Sequence, residues 1–331
     1  MPRAAAARFT SAVAIGVWSV LCVAARGEAQ TVPERLASAS LEDLMNLEVT
    51  SAARVEQRAE DVAAAVYVIT QDEIRRSGMT SVPELLRLVP GVQVAQIDGN
   101  KWSVAVRGFN SLFSNKLLVL IDGRSIYNRT FSGVFWEDID LPVEDVDRIE
   151  VVRGPGGSVW GANAVNAVIN VVTKSSSDTR GARVGLGAGT FDRSQLSTRY
   201  GGELGSATYR VSARWSDRTE SQTVDRRPAD DGWHMLTTGV RVDWSRGADA
   251  LQVQGGFSGG GGRSLWSDLT SPTPGITPSI GLDTTTNSGF AQGRWAHTLN
   301  NQSSLEVRSF YSIWGRRDGG VWNREAVGDF D

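Results

Sequence analysis

The chemistry available to this chain is narrow. Two histidines, His234 and His297, and one cysteine, Cys22, are all it offers to a zinc site or a Cys/His nucleophile, and they stand far apart in 331 residues. Gly154-Pro155-Gly156 is not a dinucleotide fingerprint, because Val159 occupies the third glycine position. No Gly-x-Ser-x-Gly elbow and no Gly-Lys-Ser/Thr phosphate loop occurs. The sequence therefore reads as a non-enzyme with no cofactor and no metal site. What it does carry is recognition chemistry. Asp98-Gly99-Asn100-Lys101-Trp102, Ser125-Ile126-Tyr127-Asn128-Arg129-Thr130-Phe131 and Phe135-Trp136 mix aromatics with amides and a few cations. That mixture suits a polar or metal-chelated organic ligand held by stacking and hydrogen bonds. The same aromatics could equally be packing a core.

The net charge of −3 gives no drive toward nucleic acid. Lysine is confined to Lys101, Lys116 and Lys174, so nearly all the cations are arginine. With 40% hydrophobic and 21% charged residues the chain is of folded composition. Its first 29 residues read as an export signal: Arg3 and Arg8, an apolar stretch over Ala12–Ala25, then small residues ahead of a cut after Ala29. Cleavage there removes Cys22 and leaves an exported chain without thiols or disulfides. Beyond it no apolar run reaches the roughly 18 residues of a membrane helix, which leaves room for membrane strands.

Residues 30–178 read as mixed helix and strand, with 54–178 as one domain. Thr70-Gln71-Asp72-Glu73 is a capping box opening a helix that Gly78 can close. Ser81-Val82-Pro83-Glu84 is a second box, ahead of an apolar face that Pro90-Gly91 terminates. Strands are expected at 64–69, 103–107, 117–121, 148–153 and 164–172. Beyond Gly181 helical signals vanish and alternation takes over. On 207–216, Tyr209, Val211, Ala213 and Trp215 oppose Arg210, Ser212, Arg214 and Ser216. About seven such segments occur, at 183–191, 194–204, 207–218, 234–245, 249–259, 286–299 and 303–315. A soluble sandwich hides the apolar face, whereas a membrane barrel turns it outward. Segment length, Trp and Tyr near segment ends, and alternating short and long connections favour the barrel.

Residues 41–174 resemble the plug domain of TonB-dependent outer-membrane receptors. The resemblance is carried in order by Leu41–Ser51, Ala65–Thr70, Leu85-Leu86-Arg87-Leu88-Val89-Pro90-Gly91-Val92, Val106-Arg107-Gly108-Phe109-Asn110, Leu118-Val119-Leu120-Ile121-Asp122-Gly123-Arg124, Asp147–Pro155 and Trp160–Asn170. It implies an α+β plug domain followed by an antiparallel transmembrane β-barrel, in an exported Gram-negative outer-membrane protein. Its partners would be TonB with the inner-membrane energising complex, outer-membrane lipid, and a small-molecule or metal-chelate substrate. Siderophore-iron or cobalamin is the expected substrate class, taken up by TonB and the proton gradient.

Site residues follow from the resemblance. Glu48, Val49, Thr50, Ser51 and Ala52 resemble the TonB box, within a segment over 30–53, unless they simply form the first strand of the plug. Arg107 and Arg153 resemble family arginines that ion-pair with barrel carboxylates, since buried charges need partners. The plug apices would place Asn100, Lys101, Trp102, Tyr127, Asn128, Arg129, Phe131 and Trp136 near the substrate. Such a barrel usually has about 22 strands, and about seven over 181–331 make it incomplete. A barrel of about eight strands fills its own interior and has no room for a plug. The expectation is an N-terminal part of a receptor, with a non-transporting fragment that binds TonB or ligand as the alternative.

Overall fold

The computed structural model describes residues 48–49, 57–58, 64–112, 114–161, 163–267, 279–300 and 303–330. The export signal read at 1–29, and Thr50, Ser51 and Ala52 of the box, lie outside the described residues.

The first half is a small α+β unit. Strands β1 (Glu48–Val49) and β2 (Gln57–Arg58) form an antiparallel pair, with Val49 opposite Gln57. Strand β3 (Ala65–Thr70) leads into helix α1 (Gln71–Ser77). The capping box is formed: Glu73 N donates to Thr70 Oγ1 at 3.3 Å and Thr70 N to Glu73 Oε2 at 2.8 Å. Gly78 closes the helix with a φ of 68°, a left-handed conformation that costs glycine nothing. The second box is only half formed. Helix α2 (Val82–Leu85) is a single turn, Ser81 makes no side-chain cap, and the chain continues into a 3₁₀ turn at Leu86–Leu88.

Strands β4 (Val92–Gln96) and β5 (Trp102–Val106) pair as a hairpin. There follow β6 (Leu117–Ile121), β7 (Arg124–Ser125), β8 (Val146–Arg153), helix α3 (Gly157–Trp160) and β9 (Ala167–Thr173). The five-stranded sheet runs β3-β8-β9-β6-β7, with β6 and β9 parallel. Every residue of β6 is buried, which is why Leu-Leu-Val-Leu-Ile shows no alternation. The main core lies on one face, where Ile69, Leu85, Leu86, Val119, Ile149 and Ile169 pack together. Burying each of these contributes roughly 1.5–3 kcal/mol.

The second half is one antiparallel sheet in sequential order: β10 (Gly181–Gly187), β11 (Asp192–Leu204), β12 (Ala207–Arg218), β13 (Trp233–Arg246), β14 (Asp249–Ser267), β15 (Ser279–Asn300), β16 (Ser303–Asp318) and β17 (Val321–Phe330). It is an open sheet whose edges are β10 and β17 among the described residues. Eight strands lie among the described residues, against about seven segments expected. The eighth is β17, where Arg324 interrupts the apolar alternation and hides the strand in sequence. Strands β14, β15 and β16 run to 19, 22 and 16 residues, well beyond the ten or so expected. Glycines at 255–256 and 259–262 carry no side chains to register alternation, so β14 reads short in sequence.

The polarity of the sheet decides its solvent. On β12, Val211 and Trp215 are exposed on the outer face while Arg210, Arg214 and Ser216 are buried against the first half of the chain. Val240, Val253, Phe257, Tyr311 and Ile313 repeat the exposed apolar face on neighbouring strands. A water-soluble sandwich would do the reverse, whereas a membrane wall turns apolar side chains to lipid and polar ones to the lumen. No helix among the described residues is long and apolar enough to cross a membrane, which says nothing against strands.

Candidate functional site

The surface joining the α+β unit to the inner face of the sheet is polar and charged. Arg199 Nη1 lies 2.5 Å from Asp145 Oδ1, Arg214 Nε 2.9 Å from Asp140 Oδ1, and Arg316 Nη1 2.9 Å from Glu137 Oε1. In each pair the cation comes from the sheet and the carboxylate from the 137–145 segment. Ser216 and Gln195 add hydrogen bonds around the Arg214 pair. Taking such charges out of water is tolerable only because each is paired and hydrogen-bonded.

Arg107 and Arg153, expected to pair with barrel carboxylates, make other contacts among the described residues. Arg107 Nη2 donates to the Arg153 carbonyl at 3.3 Å, and Arg153 Nη1 to the Pro90 carbonyl at 2.9 Å. Both contacts stay within the α+β unit, and neither arginine meets a carboxylate of the eight strands. Sequence position could place arginines near the junction but could not say which partner faced them.

A denser cluster sits beside Arg316. Its Nε reaches Asp318 Oδ2 at 3.0 Å, and its guanidinium lies 4.5 Å from the centroid of the Phe135 ring. Asp138, adjacent to Glu137, accepts from Trp314 Nε1 at 2.9 Å and Thr286 Oγ1 at 3.1 Å. Burial pushes the Glu137 and Asp138 carboxyls above the usual carboxylate range, with Arg316 pulling the other way.

The long connection at 219–232 closes over the apex of the unit. Asp231, fully buried, accepts from the amides of Gly99 and Ser221 at 2.6 Å each. Asn100 Nδ2 donates to the carbonyls of Asp231 at 3.1 Å and Arg263 at 2.8 Å. Lys101 is buried and paired with Asp98 at 2.8 Å. Asn100 and Lys101 thus serve the closure of this end. Trp102 and Trp136 belong to the main core, where they pack rather than face open space.

The remaining apical residues behave differently. Tyr127 and Asn128 line a cavity of about 200 Å³ between the 121–146 segment and strands β12–β17. Arg129 is exposed, and its amide donates to Glu325 Oε2 at 3.0 Å. Phe131 meets Phe135 edge-on at 4.5 Å, and Phe135 stacks on Trp314 at 5.2 Å. Sequence reasoning did not single out Asp122, Asp138, Asp231 or the inward arginines of the sheet. The alternation marked Arg210 and Arg214 as the polar face, but nothing in it marked which of them meets a carboxylate. Of the box, Glu48 and Val49 form β1. No group of three or more His, Cys, Asp or Glu side chains among the described residues is arranged to hold a metal.

Residues 58–168 match the TonB-dependent Receptor Plug Domain family. This region is a plug domain of the TonB-dependent receptor kind. The α+β unit is therefore the plug and the eight-stranded sheet a part of the barrel wall, without closure into a barrel. Among curated relatives, the vitamin B12 transporter BtuB of Vibrio vulnificus is 41% identical over 144 residues, covering 43% of this chain and 23% of that protein. BtuB of Vibrio cholerae is 36% identical over 157 residues, covering 47% and 25%. The chain thus spans about a quarter of the length of these relatives.

Solved structures extend the likeness in fold into the wall. The ferripyoverdine receptor of Pseudomonas aeruginosa superposes with a TM-score of 0.64 at 17% identity, covering 88% of this chain and 39% of that one. The ferric-catecholate import receptor Fiu of E. coli K12 superposes at 0.62 and 15% identity, covering 83% and 45%. These relatives are receptors and transporters, not enzymes.

Proposed function

We propose that this receptor takes up a scarce small ligand, of the siderophore-iron or cobalamin class, across the outer membrane, with TonB drawing on the plug through the segment around Glu48–Ala52. The observation that carries the reading is the seating of a plug against the polar face of a wall whose other face is apolar. The names of the relatives support it: vitamin B12 transporters by sequence, a ferripyoverdine receptor by fold. A plug-like module that only binds TonB or ligand is the weaker reading, because the structural likeness covers 88% of the chain, wall strands included.

Plug and wall have separate tasks in this scheme. Outer loops admit the ligand, the plug obstructs the lumen, and work done on the plug loosens it. The pairing of β1 with β2 supplies a route for that work, because a strand held by so short a ladder can be given up to another sheet. TonB would capture Glu48-Val49 by adding it as a strand, exchanging Gln57 and Arg58 for its own edge. Backbone hydrogen bonds carry such pairing, so proline at its centre should break it. Val49→Pro is expected to abolish energised uptake of radiolabelled cobalamin or ferric siderophore while binding at the cell surface persists. Uptake at the wild-type rate would overturn the assignment.

A further inference from the structure

The cavity between plug and wall is lined by two arginines that, unlike Arg199, Arg214 and Arg316, have no carboxylate at ion-pair distance among the described residues. Arg124, on β7, is 8% exposed. It has one long hydrogen bond, from Nη1 to Ser312 Oγ at 3.3 Å, and lies 3.9 Å from the Phe290 ring centroid. Its buried Nε–H has no partner at all. Arg210, on β12, is 7% exposed and spends its guanidinium on the Lys174 carbonyl at 2.8 Å and Thr173 Oγ1 at 3.4 Å. Both line the same space of about 200 Å³.

The carboxylates bordering that space are engaged by other groups, Asp138 through one oxygen only. Asp122 accepts from Thr173 N and Oγ1, both at 2.8 Å, and from Gln254 Nε2 at 3.2 Å. Asp140 and Asp145 hold Arg214 and Arg199. Asp138 accepts from Trp314 and Thr286 through Oδ2 alone, its buried Oδ1 having no partner, and Glu325 accepts from the Arg129 amide. Burial lowers the Arg124 guanidinium to about 10, with the charge of Asp122 opposing the shift, so Arg124 is still a cation at neutral pH. A cation in that position, resting on a ring face with a donor unused, is incompletely compensated.

The wall also makes the room. Arg210, Arg241, Gln254 and Gln292 are successive register partners on β12 to β15 and form one buried polar row. The next inward row is Ser212, Gly239, Gly256, Phe290 and Ser312, mostly small. A Cβ at Gly239 would meet Ser212 Oγ at 3.2 Å and the Gly255 carbonyl at 3.9 Å, with nothing else within 4 Å.

We propose that this cavity is an oxyanion site, in which Arg124 and Arg210 bind a carboxylate or phosphate group inside the lumen. Guanidinium donors in fixed forks match such groups, and a charge-assisted bond in a buried site is about twice as strong as a neutral one. The volume admits a small anion or one acidic arm of a larger ligand. The site rests on the uptake reading only for its role, as a station that an anionic ligand meets between the outer loops and the periplasm.

Binding is therefore measured without TonB or energy, so that failure here leaves the uptake assignment standing. Citrate and inorganic phosphate, at constant ionic strength, are titrated into the purified chain in detergent, read by tryptophan fluorescence, since Trp314 borders the cavity. The expected result is saturable binding of one or both that weakens at least tenfold in Arg124→Gln and in Gly239→Val, with Arg124→Lys retaining part of it. Preference for citrate identifies a carboxylate site, preference for phosphate a phosphate site. Absence of saturation in the wild type, or equal binding in Arg124→Gln and Gly239→Val variants whose circular dichroism is unchanged, overturns the proposal.

Discussion

Asp231, in the long connection between β12 and β13, accepts the backbone amide of Gly99 at the plug apex at 2.6 Å with its side chain wholly out of water. The pair ties an outer loop of the wall to the top of the plug across more than a hundred residues of chain. The same carboxylate takes the Ser221 amide at 2.6 Å and the Ser221 hydroxyl at 2.5 Å, so one residue both shapes its own loop and anchors it. A Cβ on Gly99 would collide with Asp231, at 2.7 Å from its carbonyl oxygen, so the approach requires glycine at that point.

Replacing Asp231 with alanine leaves the buried Gly99 amide without an acceptor, at about 1–3 kcal/mol, and the half-buried Ser221 amide at less. The loss should be local. Hydrogen exchange at Gly99 and Ser221 is expected to quicken about tenfold or more, while amides of β6 and β9 in the plug core keep their protection. Exchange followed by mass spectrometry checks this, and unchanged protection at Gly99 would mean that the carboxylate does not hold the loop.

Arg214 and Asp140 carry the plug's seating on β12. Both are nearly buried, with side-chain exposures of 3% and 12%. Arg214→Ala strands a buried carboxylate and should destabilise the seated plug by about 3–5 kcal/mol. Asp140→Asn keeps an oxygen for Arg214 Nε and should cost less. Joint replacement, Arg214→Met with Asp140→Leu, should recover much of the loss, because the desolvation of both charges disappears with them. Urea unfolding of the detergent-solubilised protein gives the ordering directly.

The Glu137–Asp138 cluster sets a pH dependence of unusual sign. Burial raises both carboxyls in the folded state, so the native plug binds protons that the unfolded chain releases. Their contribution to stability is therefore largest near the unfolded carboxylate range and is lost as pH rises through the raised values. The groups facing them are Arg316, Asp318 and Lys101, and only Arg316 and Lys101 offset the crowding of negative charge. Seating should be firmer at pH 5 than at pH 7.5. Asp138→Asn should flatten that slope and raise the urea midpoint at pH 7.5 by about 0.5 M, roughly 1 kcal/mol. A midpoint that rises with pH in the wild type and is unmoved by the substitution would contradict the assignment.

What the sequence disclosed and what it concealed have separate physical causes. The plug strands announce themselves as short apolar runs between turn residues, and the Thr70–Glu73 box is a local interaction that needs no tertiary context. Alternation on β12 and β13 fixed the amphipathic character of the wall, because period-two patterning is a property of the strand alone. Contacts across the lumen are another matter. That Arg316 meets Glu137 while Arg107 and Arg153 turn to carbonyls of the plug depends on how one domain is rotated in the other. No spacing along the chain encodes it. Trp102 and Trp136 show the same limit: their composition suits ligand contact, and only packing reveals them as core.

The passage from plug to wall offers the last test. After β9 the chain turns through Ser176, whose amide and hydroxyl donate to Asp243 at 2.8 and 2.7 Å, and reaches Gly181 at the start of β10. On the way the Thr179 carbonyl passes directly over Gly201 of β11, so close that a Cβ there would fall against it. Backbone lies on both sides, since the Tyr209 carbonyl would be 3.1 Å from the same Cβ, and neither can retreat like a flexible side chain. Gly201→Ala should therefore force the linker off the wall, at a cost of about 1–3 kcal/mol for overpacking. Gly293 on β15, where an added Cβ meets nothing within 4 Å, is the control and should tolerate alanine. Limited proteolysis is expected to cut the Gly201→Ala protein faster within 174–181 while the Gly293→Ala protein matches the wild type. Equal cleavage of all three would show that the linker is not held against β11.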